Sequence, residues 1–237
     1  MRRLFVTGTD TGVGKTWVTA GLIHALQSLG LRVAAVKPVA AGTAWIGGRR
    51  LNEDAVLLGS ALAPPRPPEA VAVVVFDPPV APHIAAEHAG VRLDPDRLAR
   101  ECLDRGGDAD WLLIEGAGGW RVPLSRRGPT LADLARRLEA EVLLVVGLRL
   151  GCLNHALLTA EAVAADGLRL AGWVATTLDP RLPEIAAQLD TLRCRLPAPC
   201  LSVVPFLERC RPERIAAALT LDLLPGVQAD PKGADTP

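Results

Sequence analysis

The strongest constraint on this chain is a nine-residue loop near its amino end, Gly8-Thr-Asp-Thr-Gly-Val-Gly-Lys-Thr16. It lies between an apolar run (Leu4, Phe5, Val6) and a helical pattern. A strand that enters a glycine loop and leaves as a helix lets backbone N–H groups close around phosphate oxygens. The helix N-terminus adds a dipole that favours an anion. In such a loop Lys15 reaches the β- and γ-phosphates of a nucleoside triphosphate and the Thr16 hydroxyl ligates magnesium. Gly12, Val13, Gly14, Lys15 and Thr16 are therefore the expected phosphate-binding residues. The spacing departs from the strict pattern, because five residues separate Gly8 from Gly14 where four are usual. Thr9 occupies the strict first-glycine position, so the loop is a variant.

Beyond the loop, apolar runs of strand length alternate with helical patterns almost throughout. That alternation predicts an α/β fold with a mostly parallel sheet and helices on both faces. Strands are expected near Arg3–Thr7, Arg32–Lys37, Val71–Phe76, Trp111–Glu115, Glu141–Val146, Leu170–Ala175 and Leu201–Val204. Their near-continuous Val, Leu, Ile and Ala character suits strands buried on both faces. Helices are expected over Lys15–Leu29, Glu53–Leu62, Pro82–His88, Pro95–Asp104, Leu131–Leu138, Cys152–Ala165, Pro183–Leu192 and Pro212–Leu219. Ala63-Pro-Pro-Arg-Pro-Pro68 reads as a stiff exposed connector. The expectation is a single P-loop NTPase-like domain over residues 1–225, with a seven-stranded sheet, and a flexible tail over 226–237.

Charge narrows the partners. The 26 basic and 26 acidic residues balance to a formal charge of zero, which gives no support to a nucleic-acid or anionic-membrane partner. No apolar stretch reaches the ~18 residues of a membrane span. The run after Met1-Arg2-Arg3 is too short for a secretory leader, so a cytoplasmic location is expected. The cysteines Cys102, Cys152, Cys194, Cys200 and Cys210 show no C-x-x-C spacing and read as reduced thiols. Only three of the 26 basic residues are lysines: Lys15, Lys37 and Lys232. A lysine supplies a compact charge that a planar guanidinium cannot replace, and two of the three follow predicted strands near the amino end.

Lys37 ends the second predicted strand, at the carboxyl edge where ligands of open α/β folds bind. The buried run Trp111-Leu-Leu-Ile114 ends on Glu115, followed by Gly116-Ala-Gly-Gly119. An acid there is suited to holding magnesium, and the glycines allow the backbone close to a triphosphate. Asn52-Glu53-Asp54 opens the next helix, where either acid is a plain helix-start charge or Asp54 turns toward the metal.

Four motifs together resemble the dethiobiotin synthase family. They are the loop through Thr16, Lys37-Pro-Val-Ala40, Glu115-Gly-Ala-Gly-Gly-Trp120 and Leu150-Gly-Cys-Leu-Asn-His-Ala156, with Pro82-His83 and Ala171-Gly-Trp-Val-Ala175 in support. The likeness runs from the first strand to about Leu207. It implies a homodimeric enzyme that converts 7,8-diaminononanoate, carbon dioxide and ATP to dethiobiotin, ADP and phosphate. One amine becomes a carbamate, the carbamate attacks the γ-phosphate, and the second amine closes the ureido ring. It further implies Mg²⁺ on Thr16, Asp54 and Glu115, and catalytic roles for Lys15, Lys37 and Thr11. Nucleotide contacts are implied at Gly116, Ala117, Gly118, Gly119, Thr176, Thr177, Pro205, Phe206 and Leu207. Substrate contacts are implied at Ala41 and Pro82. Gly151, Cys152, Leu153 and Asn154 are implied to bind, from a helix N-terminus, the substrate carboxylate held by the other subunit.

Two departures alter these expectations. The family commonly has serine where this chain has Ala41, so a substrate hydrogen bond is lost or moves to backbone or to Thr43. Thr176-Thr177 stands where the family often has Asn-Asp, which predicts weak discrimination among nucleotide bases. Two other classes share the fold. Partitioning-type ATPase switches usually carry an additional lysine near the first glycine, and residues 9 to 13 contain none. Cobyrinate-type amidating enzymes usually carry a glutamine-hydrolysing domain, for which this chain has no room.

Overall fold

The computed structural model describes residues 1–206 and 211–227. In chain order its first half comprises β1 (Arg2–Gly8), α1 (Lys15–Ser28), β2 (Val33–Ala41), β3 (Ala44–Ile46), β4 (Arg49–Leu51), α2 (Glu53–Ala61), α3 (Pro68–Val71), β5 (Ala72–Phe76) and α4 (Pro82–His88). The second half comprises α5 (Pro95–Gly106), β6 (Trp111–Gly119), α6 (Leu131–Arg137), β7 (Glu141–Leu148), α7 (Cys152–Ala165), β8 (Leu170–Thr177), α8 (Ile185–Arg195), β9 (Cys200–Val204) and α9 (Pro212–Ala218).

Among the described residues seven strands form one sheet in the order β5-β2-β6-β1-β7-β8-β9, and every pair is parallel. The fold expectation is met. Successive side chains of a strand face opposite ways, and the core follows that rule. Leu4 and Val6 join Leu113, Val145 and the inner face of α1 in one cluster. Phe5 joins Leu112, Ile114 and Leu144 in the other, beneath α5, α6 and α7. The order also puts β1 at the centre of the sheet, between β6 and β7, so the loop after β1 opens at the middle of the carboxyl edge.

Three features differ from expectation. β2 runs on past Lys37 to Ala41, and β6 runs past Glu115 through the glycines to Gly119. The cause is pairing: Gly8 of β1 lies opposite Gly119, so the glycines past the expected strand end at Glu115 continue the strand. β3 and β4 form an antiparallel hairpin that the sequence reading missed. Its turn, Gly47-Gly48, has positive φ at both residues, as a tight two-residue hairpin requires. A short helix, α3, follows the proline-rich connector. At the carboxyl end, packed residues reach Leu224 and Val227, both buried against the α1 side of the core. The expected tail from residue 228 onward lies outside the described residues.

Candidate active site

The loop Gly8–Thr16 leaves β1 and enters α1 at the carboxyl edge. Thr9 donates its N–H to Val145 at 2.9 Å, so the additional loop residue is absorbed as continued pairing with β7. Gly8 is the position where close approach excludes a side chain: a Cβ there would lie 2.6 Å from Val13 Cγ2. Val13 itself is fully buried beneath the loop. Gly14 caps α1 in the left-handed region (φ 87°), and no side chain caps that helix. The first-turn N–H groups of α1 are therefore left to a ligand. Lys15 lies across the loop, with Nζ donating to the Asp10 carbonyl at 2.9 Å. Burial, then repulsion from Lys37, brings the Lys15 pKa down to about 8, against the pull of Glu115 and Asp54.

Three strand and helix ends converge on Thr16. Its hydroxyl lies 2.8 Å from Asp54 Oδ1 and 2.9 Å from Glu115 Oε1. Lys37 Nζ lies 2.6 Å from Glu115 Oε1, 2.7 Å from Asp54 Oδ2 and 3.2 Å from the Gly116 carbonyl. Lys37 is 3% exposed and Glu115 is wholly buried. Burial alone would push the Lys37 ammonium toward neutrality, but the Glu115 and Asp54 charges outweigh it and raise its pKa. Burial likewise opposes the charge on Asp54, and Lys37 overrides it to hold the carboxyl low. The choice between the two acids opening α2 is set locally. Asn52 caps α2 by accepting from Ala55 N at 3.0 Å, and Asp54 then turns inward to Lys37 and Thr16.

The donor set fits a magnesium ion. Glu115 Oε2 is buried and has no hydrogen-bond partner among the described residues. Thr16, Asp54 and Glu115 all supply oxygen, which suits a hard cation. Among the described residues no group of three or more His, Cys, Asp and Glu converges. The set thus has two carboxylates and a hydroxyl, as expected for Mg²⁺, which keeps waters and takes substrate phosphates as its remaining ligands.

These groups line a cavity of about 1030 Å³, whose walls include Thr11, Gly12, Gly14, Lys15, Thr16, Lys37, Asp54 and Glu115. Ala41, Pro82, Ala117 and Gly118 also face it. So do Ile46, from the unforeseen hairpin, and Pro79 to Ala81. The sequence reading missed the Ile46 contact, although Gly47-Gly48 between two short runs was its signal. Thr43 does not line this cavity; its hydroxyl donates to Asp77 Oδ1 at 2.7 Å and accepts from Arg50 Nε at 3.0 Å. Also unforeseen is an ion pair between Asp10 in the loop and Arg149 at the end of β7. Trp120, in the family motif, is structural: it is buried, stacks edge-on to Phe5 at 6.0 Å and donates to Asp166.

The remaining expected residues lie elsewhere. Gly151 to Asn154 form the start of α7, outside the walls of that cavity. Gly151 caps α7 without a side-chain bond, Cys152 is buried with Sγ 3.2 Å from Gln188 Oε1, and Leu150 is 95% exposed. Thr176 is buried and Thr177 half-buried at the end of β8. Pro205 and Phe206 are exposed beyond β9, and Leu207 lies outside the described residues.

A family model described as an AAA domain matches residues 2–214. The ATP-dependent dethiobiotin synthetase of Pseudomonas aeruginosa PAO1 is 51% identical over 93% of this chain and 97% of its own length. Those of Aromatoleum aromaticum (47%, covering 93% and 97%) and Cellvibrio japonicus (46%, covering 96% and 99%) are similarly related. Among solved structures, the septum site-determining protein MinD of Pyrococcus horikoshii, complexed with Mg-ADP, superposes with a TM-score of 0.54. It shares 21% identity and covers 96% of this chain and 90% of its own. A MinC:MinD complex from Aquifex aeolicus gives 0.53 at 14% identity, covering 91% and 86%.

Proposed function

This chain belongs to the ATP-dependent dethiobiotin synthetase family, and we propose that the cavity beside Thr16 joins 7,8-diaminononanoate, carbon dioxide and ATP. The single observation carrying this reading is the convergence of Lys15, Thr16, Lys37, Asp54 and Glu115 on one cavity at the phosphate loop. A carbamate and a triphosphate are both anionic, so their approach needs cations fixed in advance. Lys15, crossing the loop, holds the β- and γ-phosphates. Lys37, anchored by two carboxylates, presents a fixed positive charge where the carbamate oxygen meets the γ-phosphorus. Thr11, on the cavity wall, orients the carbamate. Thr16, Asp54 and Glu115 would hold Mg²⁺, which supplies neutralisation of phosphate charge as the γ-phosphoryl group moves.

The bonds balance in three steps. One amine of the substrate adds to carbon dioxide and loses a proton, giving the carbamate. The carbamate oxygen then takes the phosphoryl group as the bond to ADP breaks. The second amine adds to that carbonyl carbon and loses a proton, and the carbon–oxygen bond breaks as phosphate leaves carrying the former carbamate oxygen.

The substrate carboxylate, on this reading, binds α7 of a second copy. The uncapped α7 start offers N–H groups to an anion, and Leu150 beside it is 95% exposed, as a residue awaiting a partner would be. The reading also takes one folded unit, expected over residues 1–225 and carried on to the buried Val227, and a cytoplasmic location. Among the described residues no helix is long and apolar enough to cross a membrane. The direct test is mass detection of dethiobiotin after incubating the purified protein with the diamine, bicarbonate, Mg²⁺ and ATP. Absence of that mass, with the protein folded, would overturn the reading.

A further inference from the structure

Thr176 is the last residue but one of β8, in the position from which an asparagine would read a base. Its surroundings point elsewhere. The residue is only 6% exposed. Its hydroxyl donates to the Val13 carbonyl, inside the phosphate loop, at 2.7 Å, while the Val146 carbonyl stands at 3.4 Å. A hydroxyl has one proton, and the shorter contact takes it. The Thr176 methyl packs beneath the next loop residue: a Cβ on Gly14 would lie 3.3 Å from Thr176 Cγ2.

We infer that Thr176 is a positioning residue for the phosphate loop rather than a reader of the nucleotide base. The Val13 carbonyl and the Gly14 N–H belong to one planar trans amide, in which C=O and N–H point opposite ways. Tying the carbonyl toward β8 therefore turns the Gly14 N–H away from β8. The methyl against Gly14 limits the loop's freedom at a residue held at φ 87°. The loop thus meets phosphate already formed, and the ordering cost is not charged against binding. What remains on the hydroxyl is its acceptor lone pairs, which an amino group of adenine or cytosine would satisfy alike.

This inference rests on the reading that phosphates bind the loop, and the test separates the two. The affinities of the magnesium complexes of ATP, GTP and inorganic tripolyphosphate are measured for wild type, Thr176→Val and Thr176→Ser, with melting temperatures alongside. Valine keeps the shape and deletes the donor, leaving a buried carbonyl without its partner. Affinity should fall about tenfold, by the same factor for all three ligands. Serine restores the donor and should bind within about twofold of wild type. A loss confined to ATP would make Thr176 a base contact, and a loss in Ser with Val unchanged would make it a packing residue; either overturns the inference, as do equal losses in Val and Ser or unchanged affinity in both. Should Val not fold, Thr176→Ala against Thr176→Ser decides by the same comparison, equal binding overturning the claim. Wild-type protein that binds tripolyphosphate but makes no dethiobiotin would remove the proposed reaction and leave the loop claim to its binding curves.

Discussion

The two ends of the candidate site are built in opposite ways. Around Thr16 both ammonium groups are answered within the chain, Lys37 by Glu115 and Asp54 and Lys15 by the loop carbonyl of Asp10, and only Glu115 Oε2 is left without a partner among the described residues. Around α7 almost nothing is answered. Leu150 is 95% exposed, α7 starts without a side-chain cap, and Phe206 beyond β9 is 44% exposed. The difference teaches which part of the site folding completes. The charged end is assembled by the strands and helices that bury it, so its geometry is part of stability. On the proposed reading the other end would take its contacts from nucleotide, substrate and a second copy, so its geometry would belong to binding.

The largest effect should come from the charged end. Lys37→Gln removes the cation that the proposed reaction sets beside the γ-phosphate, and turnover should fall by about 100-fold or more. A lysine needed for chemistry alone would leave the melting temperature unchanged, which is how Lys37 reads from sequence. Burial changes that expectation. Truncating one partner of a buried pair leaves an uncompensated charge, here Glu115, at a cost of about 3 kcal/mol or more. Glutamine keeps a neutral amide donor group, so the cost should fall at the low end of that range. Kinetics and calorimetry on the same variant check both, and normal turnover would make Lys37 a structural charge only.

A smaller effect should come from the open end. Gly151→Asp places like charges together but also strains a residue at φ 92°. Leu150→Asp is the cleaner variant, because its side chain is almost wholly exposed. It should shift sedimentation toward monomer and weaken diamine binding by about tenfold, the size of one lost anion-binding interaction at a helix N-terminus. Nucleotide affinity should stay within about twofold. A wild-type monomer would break the comparison between the two ends.

The smallest effect concerns the base. With its proton given to the Val13 carbonyl, Thr176 offers a base no two-point contact. CTP, GTP and UTP should therefore support turnover per KM within about tenfold of ATP, because one missing base-reading pair removes about 1–3 kcal/mol of discrimination. A preference for ATP above about 100-fold would mean that the base is read by other groups.

Much of this was legible in the sequence because it was local. Lys15 and Thr16 follow a glycine loop; Lys37 and Glu115 end apolar runs, and strand ends of a parallel sheet meet at one edge. What was illegible depended on pairing at a distance. Gly116 to Gly119 look like a turn until Gly8 is set opposite Gly119. Asp54 is separated from Glu53 only by the angle that Asn52 gives α2. Thr176 reads as a base contact until Val13, 163 residues earlier, takes its proton. The β3–β4 hairpin carried a turn signal in Gly47-Gly48, but its three-residue strands were too short to show a period.

The central claim is that the charged end waits for a carbamate before the phosphoryl group moves. Phosphate release from Mg·ATP, followed with the diamine and bicarbonate added singly and together, tests it most directly. The account predicts release only when both are present, with one phosphate for each dethiobiotin formed. Rapid release without the diamine would contradict it and would mark the cavity as that of a nucleotide switch.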